Sequence, residues 1–257
     1  MQAGHYDLSE VEWSIIEPLL PPAPPGKQRV DDRRVLNGIF WVLRTGSPWR
    51  DLPARYGPST TVYNRFNRWA KRGVWLAVFE ALAQEEPAAL QLIDSSIVKA
   101  HQHAAGRKKG GPDHAIGRSR GGLTTKLHAV VNERGLPIRF VITAGQASDK
   151  TTAPILLDGL PLAPDIVADR GYSAKALIEW CAARGATAHI PSQRNVRVMR
   201  TVAPPLYRLR NLVERYFNKL KHFRRIATRF DKLARNFMAA VALASTRLWL
   251  RHHESTT

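Results

Sequence analysis

The amino-acid sequence predicts an α/β protein, a mixed sheet flanked by helices and preceded by an all-α, helix-turn-helix-like N-terminal region. Three observations carry this. Up to about residue 80, apolar residues recur at helical spacing between Pro and Gly turns, with no alternating strand pattern. From Leu90 onward, short Leu/Ile/Val runs alternate with amphipathic helical stretches. Finally, 257 residues of which 44% are apolar can fill one large core, or a small one and a medium one. The expected division is a helical region over 1–86 and an α/β domain over 87–257 that carries a basic loop at 101–122.

Ser9 with Glu12 makes a capping box ahead of a helix over 11–20, which the prolines at 21, 22, 24 and 25 stop. Asp31 is placed to cap a second helix, in which Val35, Ile39, Val42 and Leu43 share a face and which ends near Gly46 and Pro48. Ser59 is placed to cap a third helix over 60–72. Val62, Phe66 and Trp69 form its apolar side, and Asn64, Arg65, Arg68 and Lys71 the others. A basic, amide-rich helix behind a Gly/Pro turn is what reading of the major groove requires. A small helical bundle with a solvated basic face fits the same residues equally well. Trp41, Trp49, Trp69 and Trp75 read as core.

In the second part, 90–98 reads as a strand, followed by the Gly/Lys/Arg/His loop. The segments 124–131 and 136–143 form a hairpin closed at Asn132 to Gly135. A helix over 149–160, a strand over 166–169, a helix over 173–184 and a strand over 186–190 follow, and two long helices over 206–224 and 231–251 finish the chain.

The charge is lopsided: 39 Lys and Arg against 21 Asp and Glu, a net +18 with His neutral. Such a chain seeks polyanions. A single cysteine, Cys181, excludes an intramolecular disulfide framework and multi-cysteine zinc modules. The first ten residues lack the basic and apolar segments of a secretory signal, and the stretch 237–250 is too short to span a bilayer and contains Arg247. A soluble intracellular protein with no membrane partner is expected.

Chemistry points to acids. In mixed sheets functional groups gather at strand ends, which makes Asp94 and Asp169 natural neighbours. Two carboxylates in an apolar setting repel, and a divalent cation with oxygen ligands, Mg²⁺ or Mn²⁺, relieves them. Either one alone is also an ordinary turn or cap residue. The helix over 206–224 adds Tyr207, Arg210, Glu214 and Lys221, which at 100° per residue share one face of about 60°, while Leu209, Leu212, Val213, Tyr216, Leu220 and Phe223 line an apolar one. Between Arg194 and Arg235 stand 13 Lys and Arg and only two acids, Glu214 and Asp231. A lone carboxylate in that field fits a metal ligand beside a bound polyanion better than a plain i, i+4 ion pair.

The sequence resembles the DDE transposases of bacterial insertion sequences, in the insertion sequence five group. The third acid of that group lies in a Tyr, two residues, Arg, three residues, Glu, six residues, Lys signature, and Tyr207, Arg210, Glu214 and Lys221 match every spacing. Leu92-Ile93-Asp94-Ser95 resembles the strand of the first acid, 117–128 the loop after it, and Ala168-Asp169-Arg170-Gly171-Tyr172 the second acid; Trp49-Arg50-Asp51-Leu52-Pro53 adds a match in the N-terminal region.

The resemblance implies an RNase H-like catalytic domain in which Asp94, Asp169 and Glu214 hold two divalent ions, Mg²⁺ with Mn²⁺ as the possible substitute. It also implies cleavage of double-stranded DNA at the element's terminal inverted repeats, attack of the freed 3′-OH on target DNA, and a homodimer on DNA in a bacterial cytoplasm, at the nucleoid. Arg210 and Lys221 are then candidates for phosphate contact and Tyr207 for positioning. Arg107, Lys108, Lys109, Arg118, Arg120 and Lys126 are candidates in and beside the basic loop, and Asn64, Arg65, Arg68 and Lys71 in the N-terminal region. Only 45 positions separate Asp169 from Glu214, which leaves no room for the large β-rich insertion of some related transposases. A nuclease on the same fold without strand transfer, or a non-catalytic DNA-binding regulator, would share many of these features.

Overall fold

A computed structural model describes residues 6–22, 29–84, 88–104, 114–193 and 199–256. The chain divides into two compact units. One holds Met1–Leu82, His101–Gly106 and Leu220–Thr257; the other holds Ala83–Ala100 and Arg107–Lys219. A single cut after residue 86 therefore does not describe the packing, because the last 38 residues (220–257) join the helical unit.

The helical unit begins with α1 (Glu10–Ile16), where the Ser9 side chain accepts the Glu12 amide and the Glu12 carboxylate accepts the Ser9 amide, as the capping-box signature requires. A short 3₁₀ turn, Glu17–Leu19, continues it. In α2 (Asp32–Thr45), Asp31 caps the amides of Arg33 and Arg34, and Gly46 ends the helix at φ +75. α3 (Ser59–Lys71) starts one residue earlier than expected. Pro58 takes the cap position and Ser59 lies inside the helix, making no side-chain cap. α4 (Val74–Ala83) follows. Near the other end of the chain come α9 (Arg224–Ala227) and the 23-residue α10 (Ala234–Thr256). Val35, Leu36, Ile39 and Leu43 of α2, Trp75 of α4 and Phe237 of α10 are fully buried. Trp69 is buried with them, 4.9 Å from Trp75 between ring centres, while Trp41 and Trp49 are half-buried.

The second unit is built on a sheet. β1 (Leu90–Ala100) is central; on one side it pairs antiparallel with β3 (Gly122–Val131), and on the other it runs parallel to β5 (Asp165–Ala168). β3 pairs antiparallel with β4 (Pro137–Ala144) and with the three-residue β2 (Gly117–Ser119), and β6 (Thr187–His189) adds in parallel to β5. Apart from the short β2, the order is β4-β3-β1-β5-β6 with β3 alone reversed, the arrangement of an RNase H-like sheet. Ile93, Val130, Ile166 and Ala168 point into a core shared with α5 (Asp149–Leu157) and α6 (Lys175–Ala182), through Leu156, Leu157, Leu177 and Cys181. Cys181 is thus a buried small hydrophobe.

The long helix expected over 206–224 is broken. α7 spans Pro204–Arg208, α8 spans Asn211–Lys221, and between them the amides of Leu209, Arg210, Leu212 and Val213 each bond to the carbonyl three residues back. This tighter winding turns the chain at Arg210. Leu209, expected in the apolar face, is 40% exposed, whereas Val213, Tyr216, Leu220 and Phe223 are buried as expected.

Candidate active site

Register alone sets the first two acids abreast. Ile93 of β1 is paired in parallel with Ala168 of β5, so the next residues, Asp94 within β1 and Asp169 just past the end of β5, stand at the same level. Asp169 caps a 3₁₀ turn, Arg170–Tyr172, by accepting the Gly171 amide at 2.8 Å. A Cβ at 171 would come within 2.8 Å of the Asp169 Oδ1, so a larger residue there would displace that carboxylate. Asp94 accepts the amide of Ser95 at 2.8 Å.

The turn at 209–210 delivers the third acid. Arg210 donates through Nη1 to Asp94 Oδ2 at 2.8 Å and through Nη2 to Glu214 Oε1 at 2.5 Å. One guanidinium thus ties β1 to α8 across 116 positions of sequence. The Tyr207 ring lies 5.8 Å from the same guanidinium. Burial pushes the Asp94 carboxyl up to about 6, against the Ser95 amide and Arg210, which lower it, and with Asp169 and Glu214, which raise it. Arg210 is held above its ordinary value, since the fields of Asp94 and Glu214 outweigh its burial.

A fourth acid, Asp149 at the start of α5, belongs to the same neighbourhood and was not singled out from the sequence. Its Oδ1 accepts the Ser95 hydroxyl at 2.8 Å and the Lys126 ammonium at 3.3 Å. It also lies 3.4 Å from His128 Nδ1. Burial drives the His128 imidazole down to about 4, with Asp149 opposing and Lys126 assisting, so the ring is neutral near pH 7 and this contact is no ion pair. The buried Tyr172 phenol is raised, first by burial and then by the charges of Asp149 and Asp94. No periodic pattern marks Asp149. The available signal was an Asp opening a helix directly after the hairpin, three residues past Gln146.

The DNA-contact candidates divide. Arg118 and Arg120 are exposed around β2, as are Asn64, Arg68 and Lys71 on α3. Arg107, Lys108 and Lys109 lie outside the described residues. Two of the candidates are engaged within the fold. Arg65 is 5% exposed, paired with Asp32 and set against the Trp69 ring, a structural engagement within the helical unit. Lys126 is engaged inward, donating to the Ala147 carbonyl at 2.7 Å and to Asp149. Lys221 falls in the helical unit, where it lines a cleft.

Among the described residues no group of three or more His, Cys, Asp and Glu side chains stands ready-formed as a metal site. The donor chemistry nonetheless fits a hard divalent cation: three carboxylates, one of them held near pH 6 by burial, with a guanidinium supplying the positive charge between two of them.

The sheet order and the carboxylates gathered beside β1 fit an RNase H-like enzyme domain. The chain belongs to the transposase DDE domain family, whose model matches residues 86–249, and a second model, described as a putative transposase of the IS4/5 family, matches residues 8–79. It is a DNA transposase, a DNA-binding enzyme that depends on divalent metal. Over 130 residues it is 42% identical to a putative transposase for insertion sequence element IS6501 from Brucella ovis, covering 50% of this chain and all of that one. It is 39% identical over 112 residues to a 16.2 kDa protein of insertion element IS402 from Burkholderia cepacia, covering 38% of this chain and 75% of that one. Among solved structures, a piggyBac transposase synaptic complex with hairpin DNA aligns over 98% of this chain and 74% of that one, at 10% identity and a TM-score of 0.48. No described helix is long and apolar enough to cross a membrane.

Proposed function

We propose that this transposase binds the terminal inverted repeats of an insertion sequence as a homodimer on double-stranded DNA, cuts at the element's ends and joins the freed 3′-OH to target DNA. Asp94, Asp169 and Glu214 would hold Mg²⁺, or Mn²⁺ in its place, as two ions per site. The observation that carries this reading is the parallel pairing of Ile93 with Ala168, which sets Asp94 and Asp169 at one level, with Glu214 linked to Asp94 through Arg210.

The chain's own groups set the chemistry. Bound divalent ions supply positive charge for the attacking and departing oxygens of an in-line displacement. Asp94 within β1, Asp169 at the end of β5 and Glu214 on α8 would hold that charge. Arg210, relieved of its two carboxylates, can turn its N–H groups to non-bridging phosphate oxygens, a bidentate geometry that suits guanidinium. Tyr207 limits where that guanidinium can swing. Ser95 donates its hydroxyl to Asp149, which fixes the residue whose amide binds Asp94. No protein-bound intermediate is needed. Arg118, Arg120, Asn64, Arg68, Lys71 and Lys221 are proposed to contact DNA phosphates.

A plasmid carrying the element ends tests the reading. Wild type with Mg²⁺ is expected to give joined product, whereas Asp94→Asn, Asp169→Asn and Glu214→Gln bind the ends without cutting. Nicks with no joined product would favour the nuclease reading, and binding with no cutting by wild type the regulator.

A further inference from the structure

We propose that the helical unit carries a phosphate-binding cleft for the DNA backbone, built from Arg44, Thr45, His222 and Arg224 together with Lys221, and separate from the exposed face of α3. The proposal rests on the transposase reading only for its choice of polyanion.

The cleft measures about 550 Å³ and is lined by Tyr6, Arg44, Thr45, Lys221, His222 and Arg224. None of these is acidic. Three permanent cations and an imidazole converge there from the end of α2, the end of α8 and the start of α9. Arg44, Lys221 and Arg224 form no ion pair with a described carboxylate, although this unit pairs its buried charges closely elsewhere.

The cleft is also held in shape. The Arg44 guanidinium sits 6.0 Å from the Tyr6 ring and 5.4 Å from the Phe223 ring, so aromatic faces fix its direction with no acid to neutralise it. At Gly46, a Cβ would come within 2.9 Å of the Arg224 Cβ, and the φ of +75 already demands glycine. That close approach brings the end of α2 against the start of α9 and sets Arg44 and Arg224 on one opening. A simpler role for these cations is to balance the dipole at the C-terminus of α2. That dipole amounts to about half a charge at a helix end, and a cleft with three permanent cations exceeds it. The excess positive charge suits phosphodiesters, which Arg can fork and Lys can neutralise as a point charge.

The test uses the full chain with a labelled 30-base-pair duplex and EDTA present, read by fluorescence anisotropy across a salt series. Arg44→Gln with Arg224→Gln is expected to weaken binding on the order of tenfold to a hundredfold near physiological salt, and to reduce the slope of log affinity against log salt by about 2. The double Lys variant should recover most of both. An unchanged affinity and slope would overturn the proposal. So would a lowered melting temperature with wild-type binding by the folded fraction, which is the result the dipole role requires. Calorimetric binding of inorganic phosphate that the double Gln variant abolishes, with duplex binding unaltered, would make this a small-anion site and overturn the DNA assignment. The two readings fail separately. Wild type that binds duplex through Arg44 and Arg224 but never cuts would sink only the catalytic one, and cutting by a wild type whose binding ignores both residues would sink only this one.

Discussion

The two units treat buried charge in opposite ways. In the helical unit the buried Glu12 and Asp231 and the partly buried Asp32 each have a cation. Glu12 pairs with Arg247 at 3.0 Å, Asp231 with Arg225 at 3.6 Å, and Asp32 takes both Arg29 and Arg65. In the sheet unit the ratio inverts: Asp94 and Glu214 share the single Arg210, and Asp169 has a backbone amide and no ion pair among the described residues. A closed set of charges stabilises a fold and asks for nothing more. A cluster with surplus negative charge stays costly until a cation arrives, which is how a metal-dependent site differs from a structural ion pair. Proteins commonly give up stability at such sites for function.

The contrast breaks most visibly in catalysis. Asp169→Asn removes a carboxylate that closes no ion pair, so cleavage should fall on the order of 10³-fold while the melting temperature stays within a few degrees of wild type. Loss of fold in that variant, seen as a collapsed near-ultraviolet circular dichroism signal, would place Asp169 among structural charges and erase the distinction.

The helical unit should respond in the opposite sense. Glu12 and Arg247 are both buried, and Glu12 also closes the cap of α1, so Arg247→Met strands a carboxylate. A loss of about 3–5 kcal/mol is expected by urea unfolding, with cleavage per folded molecule unaltered. Glu12→Gln together with Arg247→Met, which removes both charges, should regain a large part. If the double variant is no better than the single one, the pair is not the cause.

pH sharpens the comparison. The folded Asp94 carboxyl titrates near 6 against an ordinary 3.8, so between those values the folded state binds more proton than the unfolded one. Metal-free stability should therefore fall as pH rises from about 4 through about 6, by about 3 kcal/mol at most. His128 has the opposite sign: its folded value near 4 lies below the ordinary 6.5, so its contribution is lost as pH falls through that window. The two oppose each other in the wild type, and Asp94→Asn should expose a stability that only rises with pH between 4 and 6.5. A chelator-treated Asp94→Asn protein that still loses stability on going from pH 4 to 6 would contradict this account.

Local signals were legible in the sequence where the cause is local. Ser9 with Glu12, Asp31 and Gly46 mark helix ends through their own side chains or φ, and all stand where expected. The strand runs made Asp94 and Asp169 natural neighbours, and the parallel register of β1 with β5 sets them at one level. What failed was decided at a distance. Arg65 lies on a helix face that reads as basic and solvated, and only Asp32, 33 positions away, explains its burial. Lys126 is claimed by Asp149, again across the fold. The break at Leu209 to Arg210 carries no Pro or Gly of its own. It falls where Arg210 is held by Asp94, a tertiary bond that no helical periodicity encodes. The same holds for 220–257, whose packing with the N-terminal helices is a property of the folded chain.

The smallest expected effect tests the edge of the open cluster. Asp149 makes no contact with Arg210, but it fixes Ser95, whose amide binds Asp94, and it holds Lys126 inward. It is an acid of the sheet unit that does have a cation, and so belongs in part to each kind of charge. If its role is to position Asp94, Asp149→Asn should keep the Ser95 hydrogen bond, weaken the hold on Lys126, and cost about 1–2 kcal/mol of stability. Cleavage should drop about tenfold to a hundredfold, as for outer groups that orient ligand side chains, with the affinity for DNA unchanged. Raising the divalent ion concentration should restore part of the rate, because a misplaced Asp94 weakens cation capture before it affects anything else. A purely structural Asp149 would lose the same stability with no dependence of the remaining rate on divalent ion, and that measurement separates the two.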